Sequence, residues 1–442
     1  MKGYSRNGHT SSFSGRVIGA AFGLAVAMGG LAPQVASAQE AVTLRMWALT
    51  NPNYPEYIAQ AAEAFKATHP NVTIDYQETP NEAYKTAIQV ALVGSEPPDV
   101  FFNWAGEDSA RLVRDGLVLD ITDLAEKPGQ FGTTLAQSWL DTFSVDGRIY
   151  GAPTDAVTKY FYYDNAFFAD HKLSVPKTFN ELLGLCTAIR AIDPKIVPLP
   201  LGNSERWKMN HFITVLNERV MGNDALRADY SLKAPEDQLF TNPGYVTAWG
   251  KVLELKKAGC FQDAPNATSP EVSRTMFSSQ ISPMIFCGSW CMSIFDGEGY
   301  TDYSLFRFPP VEGGASDGNS NMVVPQGLQV SAQTKHPTEA VEWISFLTSP
   351  EQAAKFAEMR GALPSDPSML GGLKNATAQF KWVAADMASL AVQFNVIDVE
   401  VEASVANAYL DAGVEILNGT MTPEQAMASI RTAALAAKAK MK

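Results

Sequence analysis

The chain has 442 residues, 46% of them hydrophobic, with 47 Asp and Glu against 34 Lys and Arg, for a formal net charge of −13. That acidity argues against nucleic acid and anionic membrane surfaces as partners, because both call for clustered basic charge. The length implies about two or three domains, and the hydrophobic content is ordinary for a globular protein.

The first 38 residues read as a secretory signal peptide. Lys2, Arg6 and Arg16 supply a positive start, Val17 to Leu31 is apolar and small, and Ala36-Ser37-Ala38 is an A-x-A cleavage site that leaves Gln39 as the mature start. These residues carry three Lys or Arg and no Asp or Glu, so the remaining 404 residues have a net charge of −16 rather than −13. No stop-transfer pattern follows, and no later segment has the roughly 18 uninterrupted apolar residues of a membrane span. No cysteine near the cleavage site offers a lipid anchor, so a free periplasmic protein is expected.

Val42 to Trp47 alternates and predicts a strand, while Ile58, Ala61, Ala62 and Phe65 recur at helical spacing. Val72 to Tyr76 is a second strand. Asn81 to Val93 predicts a helix stopped by Gly94 and Pro97-Pro98, and Asp99 to Phe102 a buried strand. This βαβαβ order predicts an α/β fold with a parallel sheet and helices on both faces.

Farther along, Asp146-Gly147 marks a tight turn. Pro153 suits a chain crossing between two bodies, because proline fixes φ and cannot continue a hydrogen-bond ladder. Tyr160 to Tyr163 predicts an aromatic strand. Thr178 and Glu181 form a capping box ahead of a helix over Phe179 to Ala191. Pro194 to Pro200 reads as extended, Arg206 to Arg219 and Thr247 to Lys257 as helices, and Glu312 to Asn321 as a Gly- and Ser-rich loop. Ile281 to Phe286 and Gly327 to Ser331 read as strands. Ser349-Pro350-Glu351-Gln352 and Thr422-Pro423-Glu424-Gln425 each supply an N-cap, a Pro at N1 and a Gln at N3. An Ala- and Lys-rich helix ends the sequence.

Signatures of catalysis are missing: there is no HExxH, GxSxG or GxGxxG. Gly244 to Lys251 superficially suggests a phosphate loop, but its glycines are one residue too far apart and Val252 stands where Ser or Thr must hold magnesium. No cofactor or metal is expected. Cys287 and Cys291 look like half a metal site, yet no second pair has matching spacing. Together with Cys186 and Cys260 they allow three pairings in an exported protein, and the sequence leaves open one structural disulfide or buried free thiols.

Seven pieces in order resemble the extracellular solute-binding proteins of sugar importers, the group that includes maltose-binding protein. They are Phe65 to Val72, Gly94 to Val100, Tyr150 to Leu182, Gly288-Ser289-Trp290, Gly327 to Ser331, Glu339 to Pro350 and Gly361-Ala362-Leu363-Pro364. The resemblance implies a type II periplasmic binding fold, two α/β lobes joined by three crossings with the ligand cleft between them. The crossings fall near Pro153, near Val324 to Gly327 and near Met359 to Gly361. Lobe one would be residues 39–153 and 326–358, and lobe two residues 154–325 and 359–442. It further implies a periplasmic monomer that captures a carbohydrate (a sugar or sugar alcohol) by hinge closure, delivers it to the permease subunits of an ABC importer and performs no chemistry.

A sugar offers an apolar C–H face, which aromatic rings cover, and a rim of hydroxyls, which carboxylates and amides bind. Trp47 ends the first strand, where a doubly wound sheet exposes side chains to ligand, and Asn51 follows in its loop. Asn103 and Trp104 end the third strand, with Glu107 and Asp108 at the next helix start. Asp155 lies just past the first crossing, Gln326 at the second and Arg360 at the third. Trp207 and His211 share a helix face at i, i+4. Trp290 follows a strand and a glycine and, by resemblance, matches the family's stacking tryptophan. Trp249 and Trp343, at helical spacing, read as core. Asp108 also suits a helix cap, Asp155 a hinge pin and Arg360 a hinge ion pair.

Two other readings compete. An exported glycoside-processing enzyme would need two carboxylates about 5–10 Å apart across the cleft. The same clamp on a phosphate ester, a polyamine or a peptide is the other. Phosphate calls for converging Arg or Lys, for which only Arg360 and Arg206 are placed, so acids and tryptophans point to polyhydroxy or cationic ligands.

Overall fold

The computed structural model describes residues 15, 40–51, 53–360, 362–364, 373 and 376–441. Apart from Gly15, the expected signal peptide lies outside the described residues, as does Gly361 of the third crossing.

Strand β1 (Val42–Leu49) buries every second residue, Val42, Leu44, Met46 and Ala48, the signature of a strand with one face on the core. Strands β2 (Val72–Thr79) and β3 (Val100–Trp104) lie parallel to it on either side. Helices Tyr54–Phe65 and Asn81–Leu92 make the crossovers. β3 is buried at every residue, as suits a central strand covered on both faces. The α/β reading therefore holds for this part of the sheet. Strands β4 (Ser144–Val145) and β5 (Arg148–Ile149) form a small hairpin. Its turn is Asp146-Gly147, with φ of 50° and 76°, the left-handed pair that a two-residue hairpin needs.

Past that hairpin the sheet becomes antiparallel. Strand β6 (Gly151–Asp164) runs for 14 residues, well beyond the aromatic core predicted for it. Its far half pairs with β7 (Met284–Gly288) and β8 (Tyr303–Phe306) on its two sides. Its near half pairs with β9 (Ser320–Val330), which also borders β3. A short β10 (Leu363–Pro364) closes the other side of the near half, and β11 (Val392–Phe394) runs parallel to the start of β9. At Asp155 and Ala156 three passes of the chain lie side by side, with Gln326 and Pro325 on one flank and Pro364 and Leu363 on the other. Pro153 does not end the ladder as expected. The strand runs through it by shifting register between Pro153 and Asp155, a bulge that spares the proline a ladder donor it lacks.

The helix starts follow their sequence signals with two local differences. Thr422 and Gln425 form the reciprocal capping box. Thr178 accepts from the Glu181 N–H at 3.2 Å, but Glu181 reaches one residue farther back and accepts from the Lys177 N–H at 2.6 Å. Ser349 turns away from its own helix and donates to the Phe346 carbonyl at 2.7 Å. Trp249 and Trp343 are fully buried core, as their spacing predicts.

Helix Trp207–Met221 buries every residue except Val220, including Lys208, Asn210, His211, Asn217, Glu218 and Arg219. It is packed on all sides, which is why its sequence carries no clean apolar stripe. Two disulfides resolve the open cysteine question. Cys186–Cys260 ties helix Phe179–Ile192 to the segment after helix Gly244–Lys257, and Cys287–Cys291 links β7 to the helix Cys291–Gly297.

Candidate functional site

Where β6, β9 and the helix Pro350–Arg360 meet, the chain leaves a cavity of about 510 Å³, within the range of about 300–1,000 Å³ usual for small-molecule pockets. Of the residues singled out by sequence, Asn51, Trp104, Trp207, His211, Trp290, Gln326 and Arg360 line it. Trp47, Asn103, Glu107, Asp108 and Asp155 do not.

The floor is aromatic. The Trp207 and Trp290 rings lie 6.3 Å apart at 59°, and His211 stands 4.9 Å from Trp207. Glu205 accepts from the Trp207 indole N–H at 2.6 Å and fixes that ring. Trp104, at the end of β3, meets Phe102 edge-on at 4.9 Å. Gly288 makes the Trp290 position achievable, because a Cβ there would overlap the indole's six-membered ring.

The rim is charged, and more of it is positive than the sequence led us to expect. Lys85, Lys159, Arg274 and Arg360 line the cavity, beside Glu205, Glu271 and Asp398. Lys85 is held by Asp398 at 3.1 Å and Glu82 at 3.7 Å. Burial alone would lower its pKa, but these carboxylates outweigh burial and hold it above the usual lysine range. Arg274 pairs with Glu271 at 2.8 Å. Arg360 donates to Gln326 at 2.5 Å and pairs with Asp155 at 3.3 Å. Arg206, once a candidate anion ligand, instead pairs with Asp411 at 2.5 Å.

Lys159 differs from all of these. It leaves β6 opposite Gly288, is 2% exposed, and its ammonium has no hydrogen-bond partner among the described residues. It sits 4.1 Å from the centre of the Trp290 ring and 5.2 Å from that of Trp207, where ring quadrupoles attract a cation. Burial, with Lys208 and Arg274 nearby, pushes it well below the usual lysine range. Lys208, beneath Trp207 and 3.9 Å from the Cys287 sulfur, is brought down to about 7 by burial and by Arg274. His211 is likewise pushed well below the usual range by burial, Lys159 and Lys208. Its imidazole is therefore neutral at pH 7, with Nδ1 lacking a partner among the described residues.

The remaining candidates are engaged elsewhere. β1 continues two residues past Trp47, so Leu49, Thr50 and Asn51 occupy the strand end, and half-buried Trp47 packs against the core. Asn103 donates to Gln329 at 2.8 Å and accepts from the Trp104 N–H at 2.9 Å. Asp155 is buried behind Arg360 and bonded to Thr154 at 2.8 Å. Burial raises its pKa against the opposing pull of Arg360 and Thr154. Asp108 rises to about 6 through burial, opposed by Lys85 and Arg111. Glu107 pairs with Arg114 and lines a separate, more voluminous cavity of about 650 Å³. That hollow contains no tryptophan, and its ionic groups, Glu107, Arg227, Lys233, Glu400 and Glu402, lie around a rim of loops and helix ends. Of these two cavities, the 510 Å³ one brings tryptophans and charged side chains together.

Sequence reasoning passed over Lys85, Lys159, Glu205, Glu271, Arg274 and Asp398. Lys85 falls within the helix expected over Asn81 to Val93 and was not singled out. Lys159 alone left a signal, a single cation inside the apolar strand run from Val157 to Tyr163.

An aromatic, polar-rimmed cavity on shared strands defines a ligand receptor, and comparison with known proteins agrees. The model of the bacterial extracellular solute-binding protein family matches residues 51–354, and the chain belongs to that family. An uncharacterized ABC transporter extracellular-binding protein of Pyrococcus horikoshii is 26% identical over 331 residues, covering 74% of this chain and 73% of that protein. The multiple sugar-binding protein of Streptococcus mutans is 23% identical over 311 residues, covering 67% and 69%. The solved structure of a chitin oligosaccharide binding protein superposes with a TM-score of 0.80 at 21% identity, covering 90% of this chain and 99% of that one. The fold is thus that of the two-lobed periplasmic binding proteins, and the chain is a solute-binding receptor, not a glycoside-processing enzyme. Among the described residues no helix is long and apolar enough to cross a membrane.

Proposed function

We propose that this protein is the carbohydrate-binding component of an ABC importer, which captures a sugar or sugar alcohol between two lobes and presents it to membrane permease subunits. The observation that carries the reading is the convergence of Trp104, Trp207 and Trp290 on one cavity with Asn51, Gln326 and Asp398 at its rim. Indole faces suit the C–H faces of pyranoses, and amides and carboxylates suit their hydroxyls. The relatives named for multiple sugars and for chitin oligosaccharide support the same ligand class.

In this reading lobe one is residues 39–153 and 326–358, and lobe two is residues 154–325 and 359–442. The three chain passes at Asp155 and Ala156 support a hinge there. Asn51 and Trp104 then come from lobe one, and Trp207, His211 and Trp290 from lobe two. A ligand touching both sets favours closure by its differential affinity for the closed form. Export follows from residues 1–38, with cleavage after Ala38, and the mature protein works as a periplasmic monomer. Asn103, Asp108 and Asp155 then support the site from behind, through Trp104, Lys85 and Arg360, while Trp47 and Glu107 lie apart from it.

Calorimetry against a panel of monosaccharides, oligosaccharides and sugar alcohols tests the proposal. Saturable heat with a carbohydrate, together with a smaller radius of gyration by small-angle scattering, is expected. No heat with any carbohydrate refutes it.

A further inference from the structure

The cavity has one feature that a neutral sugar leaves unmatched. Lys85, Arg274 and Arg360 each have a carboxylate partner, and Lys159 has none among the described residues. Its ammonium is buried, lines the cavity and stands over two tryptophan faces. Of the charged groups acting on it, Lys208 and Arg274 are cations and only Asp398 is an anion. An ammonium kept out of water without a hydrogen-bond acceptor costs several kcal/mol in general. Such a group is retained where a ligand completes it. Two acceptors without a partner among the described residues also line this cavity, Asn81 Oδ1 and Asp398 Oδ1. They suit the donating hydroxyls of the same guest.

We infer that the natural ligand is an acidic saccharide, a sugar bearing a carboxylate, and that Lys159 receives the carboxylate while Trp207 and Trp290 cover the ring. This inference rests on the carbohydrate reading above and narrows it. A carboxylate carries one charge and meets one unmatched lysine. A phosphate ester carries nearly two and is best held by converging arginine forks, and here Arg274 and Arg360 are already engaged by Glu271 and Asp155. A bound anion supplies the opposite charge that offsets burial and the cationic neighbours, which now disfavour the ammonium form of Lys159.

The test is calorimetry on the full mature protein with disaccharides ending in glucuronate, galacturonate or mannuronate, each beside its carboxyl-reduced counterpart, and with hexose phosphates. At least one uronate is expected to bind about 10-fold or more tightly than its reduced counterpart, the scale of one charge-assisted hydrogen bond. The Lys159→Met variant is expected to bring that ratio to about one. Lys159→Gln replaces it if thermal melting shows that the methionine variant does not fold. Equal or tighter binding of the reduced sugars overturns the acidic ligand and leaves carbohydrate capture standing. Tighter binding of a hexose phosphate overturns the carboxylate, and a preference that survives in both variants overturns the role of Lys159. No heat with any saccharide, acidic or neutral, refutes the carbohydrate reading itself.

Discussion

Gly288→Ala is the sharpest perturbation the structure offers. The glycine has ordinary backbone torsions, so its smallness matters only for space, and a methyl there overlaps the Trp290 ring. Carbon contacts settle at about 3.5–4.0 Å, so the indole must move by about 1 Å or more. Trp290 then leaves its contact with Lys159 at 4.1 Å and its approach to Trp207 at 6.3 Å. Overpacking of this kind costs about 1–3 kcal/mol. For a unit of about 400 residues, an unfolding entropy near 2.1 cal/mol/K per residue turns that into a Tm drop of about 1–4 °C. Affinity should fall as well, by about 10-fold or more, because the displaced ring removes both a stacking face and the site's shape. Melting followed by circular dichroism, and calorimetry with the tightest saccharide of the panel, measure the two effects. Unchanged Tm together with affinity within twofold of wild type would refute the claim that Gly288 sets the indole.

Three further outcomes follow from described contacts. Trp207→Ala should weaken saccharide binding by about 10–100-fold, the worth of a large stacking surface. Calorimetry reads this, and loss of the Glu205 bond at 2.6 Å means that Trp207→Phe should be intermediate. Removing the disulfide with Cys186→Ser and Cys260→Ser together should cost about 2–4 kcal/mol in urea unfolding, since the bond joins residues 74 apart and a loop of that length confines the unfolded chain strongly. Lys208, at about 7 in the folded protein against 10.5 for a free lysine, binds fewer protons folded than unfolded between those values. Wild-type stability should therefore rise as pH goes from about 7 toward 10. Lys208→Met should be more stable at pH 7 and flatten that slope in a pH series of thermal melts.

The sheet's parallel half was legible because its code is local. Alternation in Val42–Leu49 and the stop at Gly94 and Pro97-Pro98 need no distant partner to be read. Asp146-Gly147 was legible for the same reason, since only residues tolerant of positive φ suit that turn. The near half of β6 and the part of β9 before Gly327 were not, because their pairing lies 160–180 residues away in sequence and residues such as Gly151-Ala152-Pro153 and Pro325-Gln326 carry no strand propensity. A strand end pointed to Trp104, a helix face shared with His211 to Trp207, and the family resemblance to Trp290. Trp47 misled because β1 extends two residues beyond it. Lys85, Arg274 and Asp398 stayed hidden because a charged residue on a helix reads as solvated until another segment folds over it, as Asp398 does over Lys85.

The cavity walls are drawn from Leu49 through Val399 of a 442-residue chain. No fragment released early from the ribosome can contain the pocket, and a partly emerged chain has nothing for the guest to template. Ligand then acts on the finished fold alone. Its whole binding free energy adds to native stability as RT ln(1 + [L]/Kd), with no share taken by the unfolded form. A thermal-shift screen on the mature protein should accordingly report its natural cargo with the full sensitivity that the affinity allows.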